Sequence, residues 1–524
     1  MMKNSKKCMN KFIDLGMNRR QFLKATSIGT AVTLLGIPLG RGTAKAQIPS
    51  FTIAQASGLR TLDPHMHAER VNHIVDDNIH DPLVRRNAKN KLIPWLAESY
   101  EIVDEKNWKF QLRKGVKFHN GNPFNARSVK YTIEKRLGSD KSPRSGDYAP
   151  IKNVKILDDY TVVFECSEPY PTLPNILYFA PMVDEKYCEA HDDSYLAKNP
   201  MGTGPFRFIE WVKDDRLVLE ANEDYWGGAP HIKKLVWKPA PEVSSRVAGL
   251  MSGQLDIVTY VPPQLWESVE KSKRARLSTS IGGRIVTVVL HLDQDVYEPL
   301  KDVRVRQAMN YAVDKELIVE TLLAGKGLPI GQPVGPDVFG HNPSINPYPY
   351  DPSKAKALLK EAGYSDGFQI DFDVAKGMGL NDIQVCEAIV SQLKEIGVKA
   401  NLVVNEWTDF LSRMLERKTN PMHLLSWGGY STFDAITYLK PLFFTGEKWS
   451  FYGNPEIDKL VLSAASETDT KKRESIFHKA NKILHKECPM IYLYVQPNAY
   501  GVSSECSWEA RPDEMIPAHN IKKI

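Results

Sequence analysis

Apolar and polar side chains alternate with period two in several short stretches of this chain. Trp108, Phe110 and Leu112 interleave with Lys109, Gln111 and Arg113, the pattern of a half-buried strand. Val154 and Ile156, the turn pair Asp158-Asp159 and the run 161–164 predict a hairpin. Stretches 51–56, 206–209 and 217–219 read as further strands. The second half changes its period. Phe368, Ile370, Phe372 and Val374 alternate, and a helix over 382–396 then gathers Ile383, Cys386, Ile389, Val390, Leu393 and Ile396 on one face, with Gly397 as its terminator. Val398, Ala400, Leu402 and Val404 alternate again, so the three elements form a crossover that makes the two strands parallel. One helix is expected over 303–323, another over 353–362 between Pro352 and Gly363, and a third over 470–486 with Ile476, Phe477, Ala480, Ile483 and Leu484 inward. The pattern is one of α/β lobes with a β-rich insert, without internal repeats.

A length of 524 residues exceeds what one core usually serves and implies two or three domains. Apolar residues at 42% and charged residues at 25% fit a folded chain and exclude general disorder. The net charge of +5 is concentrated at one end: the first 46 residues hold nine Lys/Arg against the single acid Asp14, leaving 59 basic and 62 acidic side chains elsewhere. A mildly acidic remainder offers no field for collecting nucleic acid, and no such partner is expected.

The segment 18–24 pairs Arg19-Arg20 with Phe22-Leu23-Lys24 and precedes a modest apolar stretch, 25–40, too short and too weakly apolar to span a bilayer. Ala44-Lys45-Ala46 then offers a small-x-small cleavage site, with Gln47 as the mature start. The segment resembles a twin-arginine export signal, with Asn18 where Ser or Thr is usual. Export to the periplasm follows. Five cysteines remain after cleavage (Cys166, Cys188, Cys386, Cys488, Cys506); they read mainly as buried small apolar residues, with room for one or two disulfides.

Several stretches in fixed order resemble the solute-binding proteins of ABC importers, in the family 5 group that takes oligopeptides, dipeptides or nickel. They are Leu62-Asp63-Pro64, Asn78-Ile79 with Leu83-Val84, and the runs 94–100 and 108–121 with Pro123-Phe124. Asn199-Pro200, the turn 202–206, Ala221-Asn222, Tyr225-Trp226, the run 302–308, and Tyr452 with Asn454-Pro455 and Asp458 follow. Arg113 and His119 in the second run, and the glycine turn 202–205, read as scaffold; Arg304 and Arg306 face different sides of a helix and read as surface or interdomain pairs. The resemblance implies an α/β, two-lobed periplasmic-binding-protein fold (class II type) with an additional β-rich domain. The signal would occupy 1–46, lobe I 47–83, the β-rich domain 84–198, lobe I again 199–284, lobe II 285–492 and lobe I once more 493–524. It also implies a small-molecule solute, membrane permease subunits with cytoplasmic ATPases as partners, a monomer, and neither cofactor nor catalytic residue. Ligand would favour the closed lobes by its higher affinity for them.

In this family a segment after a lobe II strand meets ligand near a Trp. Here that segment holds Trp427, Gly428, Gly429, Tyr430 and Asp434: a stacking wall, glycines that admit ligand to the backbone, and a carboxylate able to take a cation. Peptide-binding members carry an Asp about three residues after the Trp, where this chain has Tyr430. Sugar, amine, opine or modified peptide therefore stand beside free peptide as ligand classes. Opposite, His65, Met66, His67 and Tyr260 are the expected lobe I contacts, and Arg284, near the crossover, is the candidate for a ligand carboxylate.

Two alternatives compete. His65, His67, His73 and His80 suggest a metal or metal-chelate receptor, of nickel or haem type, on the same fold. Gly377 and Gly379 follow a strand and open a helix, as in a nucleotide-dependent enzyme, but Asp382 stands where the third glycine would be and fits a helix cap better.

Overall fold

Val84–Arg86 and Leu92–Pro94 form a two-stranded hairpin, and every other strand among the described residues belongs to one of two larger sheets. The structure, a computed structural model, describes residues 50–293, 297–429 and 432–524. The export signal expected over 1–46 and the site residue Tyr430 lie outside the described residues.

In the main sheet, Ser50–Gln55 runs parallel to Lys234–Pro239 on one side and to Ile257–Val258 on the other. Arg216–Ala221 and Phe206–Val212 continue the first side as antiparallel strands. On the second side Ile257–Val258 meets Met490–Ser503, which pairs with Ala275–Leu290 for most of its length. The far half of Ala275–Leu290 pairs with Met422–Gly428, and Phe368–Ala375 and Val398–Asn405 complete the sheet as the expected parallel pair, Phe368 opposite Val398. Two groups of strands are thus joined through one antiparallel pair, Ala275–Leu290 and Met490–Ser503. The second sheet is antiparallel and local, in the order Ala97–Asp104, Asn107–Leu112, Thr161–Cys166, Ile151–Asp158. Its alternation does what the pattern requires: Trp108, Phe110 and Leu112 are buried, while Lys109, Gln111 and Arg113 are half-exposed.

Three large apolar cores follow this division. One gathers the 50s, the local sheet and the C-terminal residues Met515 and Ile516; the second lies under Ala275–Leu290 around Phe372 and Ile389; the third surrounds Tyr438, Phe443 and Phe477. Asp81 fastens the first. Its buried carboxylate accepts from Trp95 Nε1 at 2.7 Å, Thr203 Oγ1 at 2.9 Å, and Tyr225 OH and Trp226 Nε1 at 3.0 Å. The 202–205 turn is scaffold, as expected: a Cβ on Gly202 would fall 2.1 Å from Ile79 O, and His119 Nε2 sits 2.9 Å from Gly204 O. Arg113 lies over the Trp226 ring and donates to Trp95 O.

Three expectations need correction. The helix foreseen over 303–323 is two helices, Val303–Ala312 and Lys315–Leu322. Asp314 caps the second by accepting from Leu317 N at 2.9 Å, and buried Lys315 turns back onto Asn310 O and Val313 O. In helix Asp382–Glu395 the buried face is Val385, Cys386, Ile389 and Leu393, with Ile383 and Val390 only half-buried at its margin. Arg304 pairs with Asp302, but Arg306 forms no surface pair; it is buried and donates to the carbonyls of Glu487, Leu300 and Lys301. The five cysteines of the described residues are buried, as expected, and each is a free thiol.

Candidate functional site

The joining strands carry the glycines that shape the site. Their register shifts between Ile281 and Ile285, at Gly282-Gly283, and again at Val286/Thr287. A Cβ on Gly282 would lie 2.7 Å from Asn498 Nδ2, and one on Gly283 would lie 3.0 Å from the Tyr438 hydroxyl, which donates to Gly283 O. Immediately past this bulge, Arg284 stands in register with Gly428 and Ile285 with Trp427. The bulge therefore sets Arg284 beside the glycine segment, where its Nη1 donates to Ser426 Oγ at 3.2 Å.

Trp427 is half-buried, its indole N–H bound to Thr437 O at 3.0 Å and its ring edge-on to Trp449 at 5.4 Å. Gly429 is pressed on Tyr438, since a Cβ there would come within 2.2 Å of Cε2. From the other side Tyr260 presents a ring 37% exposed at φ +55°, with its hydroxyl 3.4 Å from Glu514 Oε2. Arg70 Nε lies 3.6 Å from the same oxygen. Burial and the Glu514 carboxylate raise the Tyr260 phenol, while the charges of Arg70 and Arg284 pull the other way. The structure brings Arg284 and Gly428 together in register, with Gly429 just beyond; Trp427 pairs with Ile285 and so turns to the sheet's other face, onto the core around Tyr438, and Tyr260 lies near Tyr500 of Met490–Ser503.

It does not bring the others there. His65 is 1% exposed, with Nε2 on Pro181 O at 2.8 Å, and burial pushes its imidazole down to about 4. Met66 is half-buried in a turn, its amide on Asp63 O and its carbonyl accepting from Arg60. His67 is fully buried against Asp76, Nε2 to Oδ2 2.7 Å. His65 and His67 are thus buried on Pro181 and on Asp76 of helix Arg70–Ile79, with Met66 in the turn between them. Asp434 is spent as well, because both its oxygens bind Arg473 and Oδ1 also takes the amide of Ile436.

The histidines proposed for a metal are divided. His67, His73 and Asp76 place ligand-type atoms within 4.8 Å of one another, but His65 and His80 lie apart from that group. All three are buried, and Arg144 Nη1 stands 3.5 Å from His73 Nε2. Burial first, and Arg144 next, hold His73 well below its ordinary value. A guanidinium at that distance opposes a second cation, and the cluster suits packing better than metal. The Gly377 loop is closed by its own helix: Asp382 Oδ2 accepts from Met378 N at 2.9 Å and Oδ1 from Ile383 N. The backbone donor a pyrophosphate would use is already taken, and a carboxylate stands in its place.

Residues unmarked in the sequence also converge. Gln496 Oε1 accepts from Leu380 N at 2.8 Å and would lie 3.0 Å from a Cβ on Gly379, which sits near Ser426 Oγ. Arg86 and Asn175 both donate to Thr432 O, at 2.5 and 2.7 Å, and the Arg86 guanidinium lies over the Phe433 ring at 4.9 Å. Gln264 Nε2 reaches Asn381 Oδ1 at 2.5 Å and Lys326 reaches Glu270 at 3.0 Å. Beyond Thr432 a cavity of about 700 Å³ opens, whose wall includes Trp108, residues 432–434 of the segment marked in the sequence and the start of the helix expected over 470–486. The segment 426–434 and the glycines in 377–379 gave signals for this surround, the latter for a different ligand.

Residues 91–450 match the sequence profile described as "Bacterial extracellular solute-binding proteins, family 5 Middle". The chain is 30% identical over 430 residues to Heme-binding protein A of Haemophilus influenzae, covering 76% of this chain and 78% of that one. It is also 30% identical over 436 residues to the Dipeptide-binding protein of Escherichia coli, covering 77% and 81%. Among solved structures, HbpA2 of Haemophilus parasuis superposes with a TM-score of 0.82 at 25% identity, over 91% of this chain and all of that one. DppA of Helicobacter pylori in complex with peptide STSA gives 0.71 at 26% identity, over 91% and 98%.

Proposed function

This chain belongs to the bacterial extracellular solute-binding proteins of family 5, and on that premise we propose that it captures a carboxylate-bearing solute through Arg284. Its fold is the two-lobed α/β fold of periplasmic binding proteins; it is a receptor of an ABC importer, not an enzyme, and works in the periplasm with permease and ATPase partners. The solute and its contacts are our reading. The observation that carries it is the register of Arg284 with Gly428 directly after the Gly282-Gly283 bulge. A guanidinium is thereby held at the joint of the two strand groups, next to a glycine segment that admits ligand to the backbone.

The same reading divides the chain into lobe I (47–83, 199–284, 493–524), lobe II (285–492) and a β-rich domain (84–198). In its support, the local antiparallel sheet lies wholly within 97–166, and the strands that cross between groups contain residues 284 and 492. Solute bound in the joint would favour closed lobes by contacting both. Export by the twin-arginine route rests on Arg19-Arg20 with Phe22-Leu23-Lys24, and replacing both arginines by Lys should leave uncleaved precursor in the cytoplasm.

A thermal-shift screen tests the solute reading. Peptides, opines, sugars, amines and metal chelates should separate by carboxylate: a true ligand at a hundred times its Kd adds about 2.7 kcal/mol of stability. Its amide or ester should lose most of that shift, and so should Arg284→Gln. Equal stabilisation by the amide form removes Arg284 from the role. Haem is a second reading, favoured by the 30% identity to Heme-binding protein A, and visible absorption on haem addition decides it.

A further inference from the structure

Helix Thr470–Glu487 turns Arg473, Phe477, Ala480 and Leu484 into the core, and its other side carries lysine. At about 100° per residue, Lys471, Lys472, Ser475, Lys479, Lys482 and Lys486 fall within one arc of about 100°, opposite that buried face. All six are exposed, and the row runs about 22 Å along the helix axis. Among the described residues, none of the five ammonium groups enters an ion pair or a hydrogen bond.

No carboxylate lies between 475 and 486. The nearest ones are engaged elsewhere or face another way: Asp469 caps the helix on Lys472 N at 2.9 Å, Glu474 lines the cavity, and Glu487 is held by Asn454 Nδ2 at 3.0 Å. Helix Pro455–Ser466 packs on the same core and is tied to this one by Arg473 Nε on Ala464 O at 2.7 Å. Away from its own buried face it presents exposed Lys459 and Leu462, the latter 57% exposed.

Lys479, Lys482 and Lys486 follow one another at three and four residues, a spacing at which like charges disfavour a helix. An anionic surface laid over them would turn that repulsion into attraction. Lysine without arginine suits a diffuse layer of charge, because it is a point charge on a flexible stem, whereas discrete carboxylate partners match the planar fork of arginine. An exposed leucine beside such a row fits the boundary between headgroups and acyl chains.

We propose that the outer face of this helix pair rests on a bilayer containing anionic phospholipid, which holds the receptor at the membrane where its permease lies. The contact is independent of the carboxylate role of Arg284.

The experiment mixes protein recovered from the periplasm with vesicles of phosphatidylethanolamine containing a quarter phosphatidylglycerol, or of phosphatidylcholine alone, and measures the bound fraction by flotation. Binding is expected on the anionic vesicles only, at about 20 mM salt and not at about 300 mM. Lys479→Gln with Lys482→Gln should weaken it about 25-fold, since one lysine near an anionic surface counts about fivefold, and should leave the melting temperature unchanged. Lys152→Gln with Lys155→Gln makes the same charge change on the exposed strand Ile151–Asp158 and should keep binding within about twofold. No binding to anionic vesicles at low salt, equal binding to phosphatidylcholine, or equal loss in the two double variants overturns the proposal.

Discussion

Asp434 and Arg473 form a two-pronged buried pair, Nη2 to Oδ1 2.8 Å and Nη1 to Oδ2 2.5 Å, joining the end of the glycine segment to helix Thr470–Glu487. Arg473 also lies over the rings of Phe339 and Phe477. The carboxylate that looked available to a ligand cation in the sequence is the anchor of the loop that carries the glycines.

Removing one partner of such a pair strands a buried charge, at a cost of about 3–5 kcal/mol. Asp434→Asn should therefore lower the urea midpoint of unfolding strongly. Unaltered stability together with selective loss of cationic ligands would restore Asp434 to the binding surface.

Gly429→Ala tests the packing behind the site. Its new methyl would meet Tyr438 Cε2 at 2.2 Å, so the segment must shift, at about 1–3 kcal/mol. Solute affinity should fall with it, whereas Gly446→Ala, at a position with open space, should lose stability through its φ of +86° and leave affinity intact. Affinity equal in the two variants would separate the glycine segment from the solute.

Acid should destabilise the fold through its buried histidines. Burial pushes His65 and His119 down from 6.5 to about 4, and burial likewise lowers His73, His80 and His423. The unfolded chain then holds more protons between about pH 6.5 and 4, so stability is complete above that window and falls within it, by about 1.4 kcal/mol per pH unit for each such group. Asp76 and Asp77 are raised by burial and act oppositely, favouring the fold as pH falls toward the ordinary carboxylate range. Urea midpoints at pH 7 and pH 5 should show the loss, with a smaller slope in His119→Gln; a flat profile contradicts it.

Thiol chemistry should be silent until the chain unfolds. Cys166, Cys188, Cys386, Cys488 and Cys506 are buried and free, and burial raises each thiol. A chromogenic disulfide reagent should find none of these five in native protein and all of them in denaturant, and a reductant should leave the melting temperature unchanged.

The fold was legible wherever burial follows from local period. Trp108, Phe110 and Leu112 point inward, and Phe368 pairs with Val398, because a half-buried strand writes its orientation into every second residue. The break at Val313-Asp314 was not, since the helical period runs on through it and only Asp314 marks the new start. At the site the glycine segment and Arg284 were singled out in the sequence, the first for its turn residues and the second for its place near the crossover. The burial of His65 and His67, and the pairing of Asp434 with a residue 39 positions away, are facts of distant packing that no local pattern encodes.

The strand Met490–Ser503 has a bearing on how synthesis and folding are timed. Ile257–Val258 finds its second neighbour only there, and Asn78 is fixed by Ile516 O and the amide of Ala518. The portion made first on the ribosome must wait, its sheet unfinished, until residues beyond 515 have left the exit tunnel. A nascent chain stalled before residue 490 should be open to protease in its earliest segment, and maturation becomes a single late event rather than a progress from one end to the other.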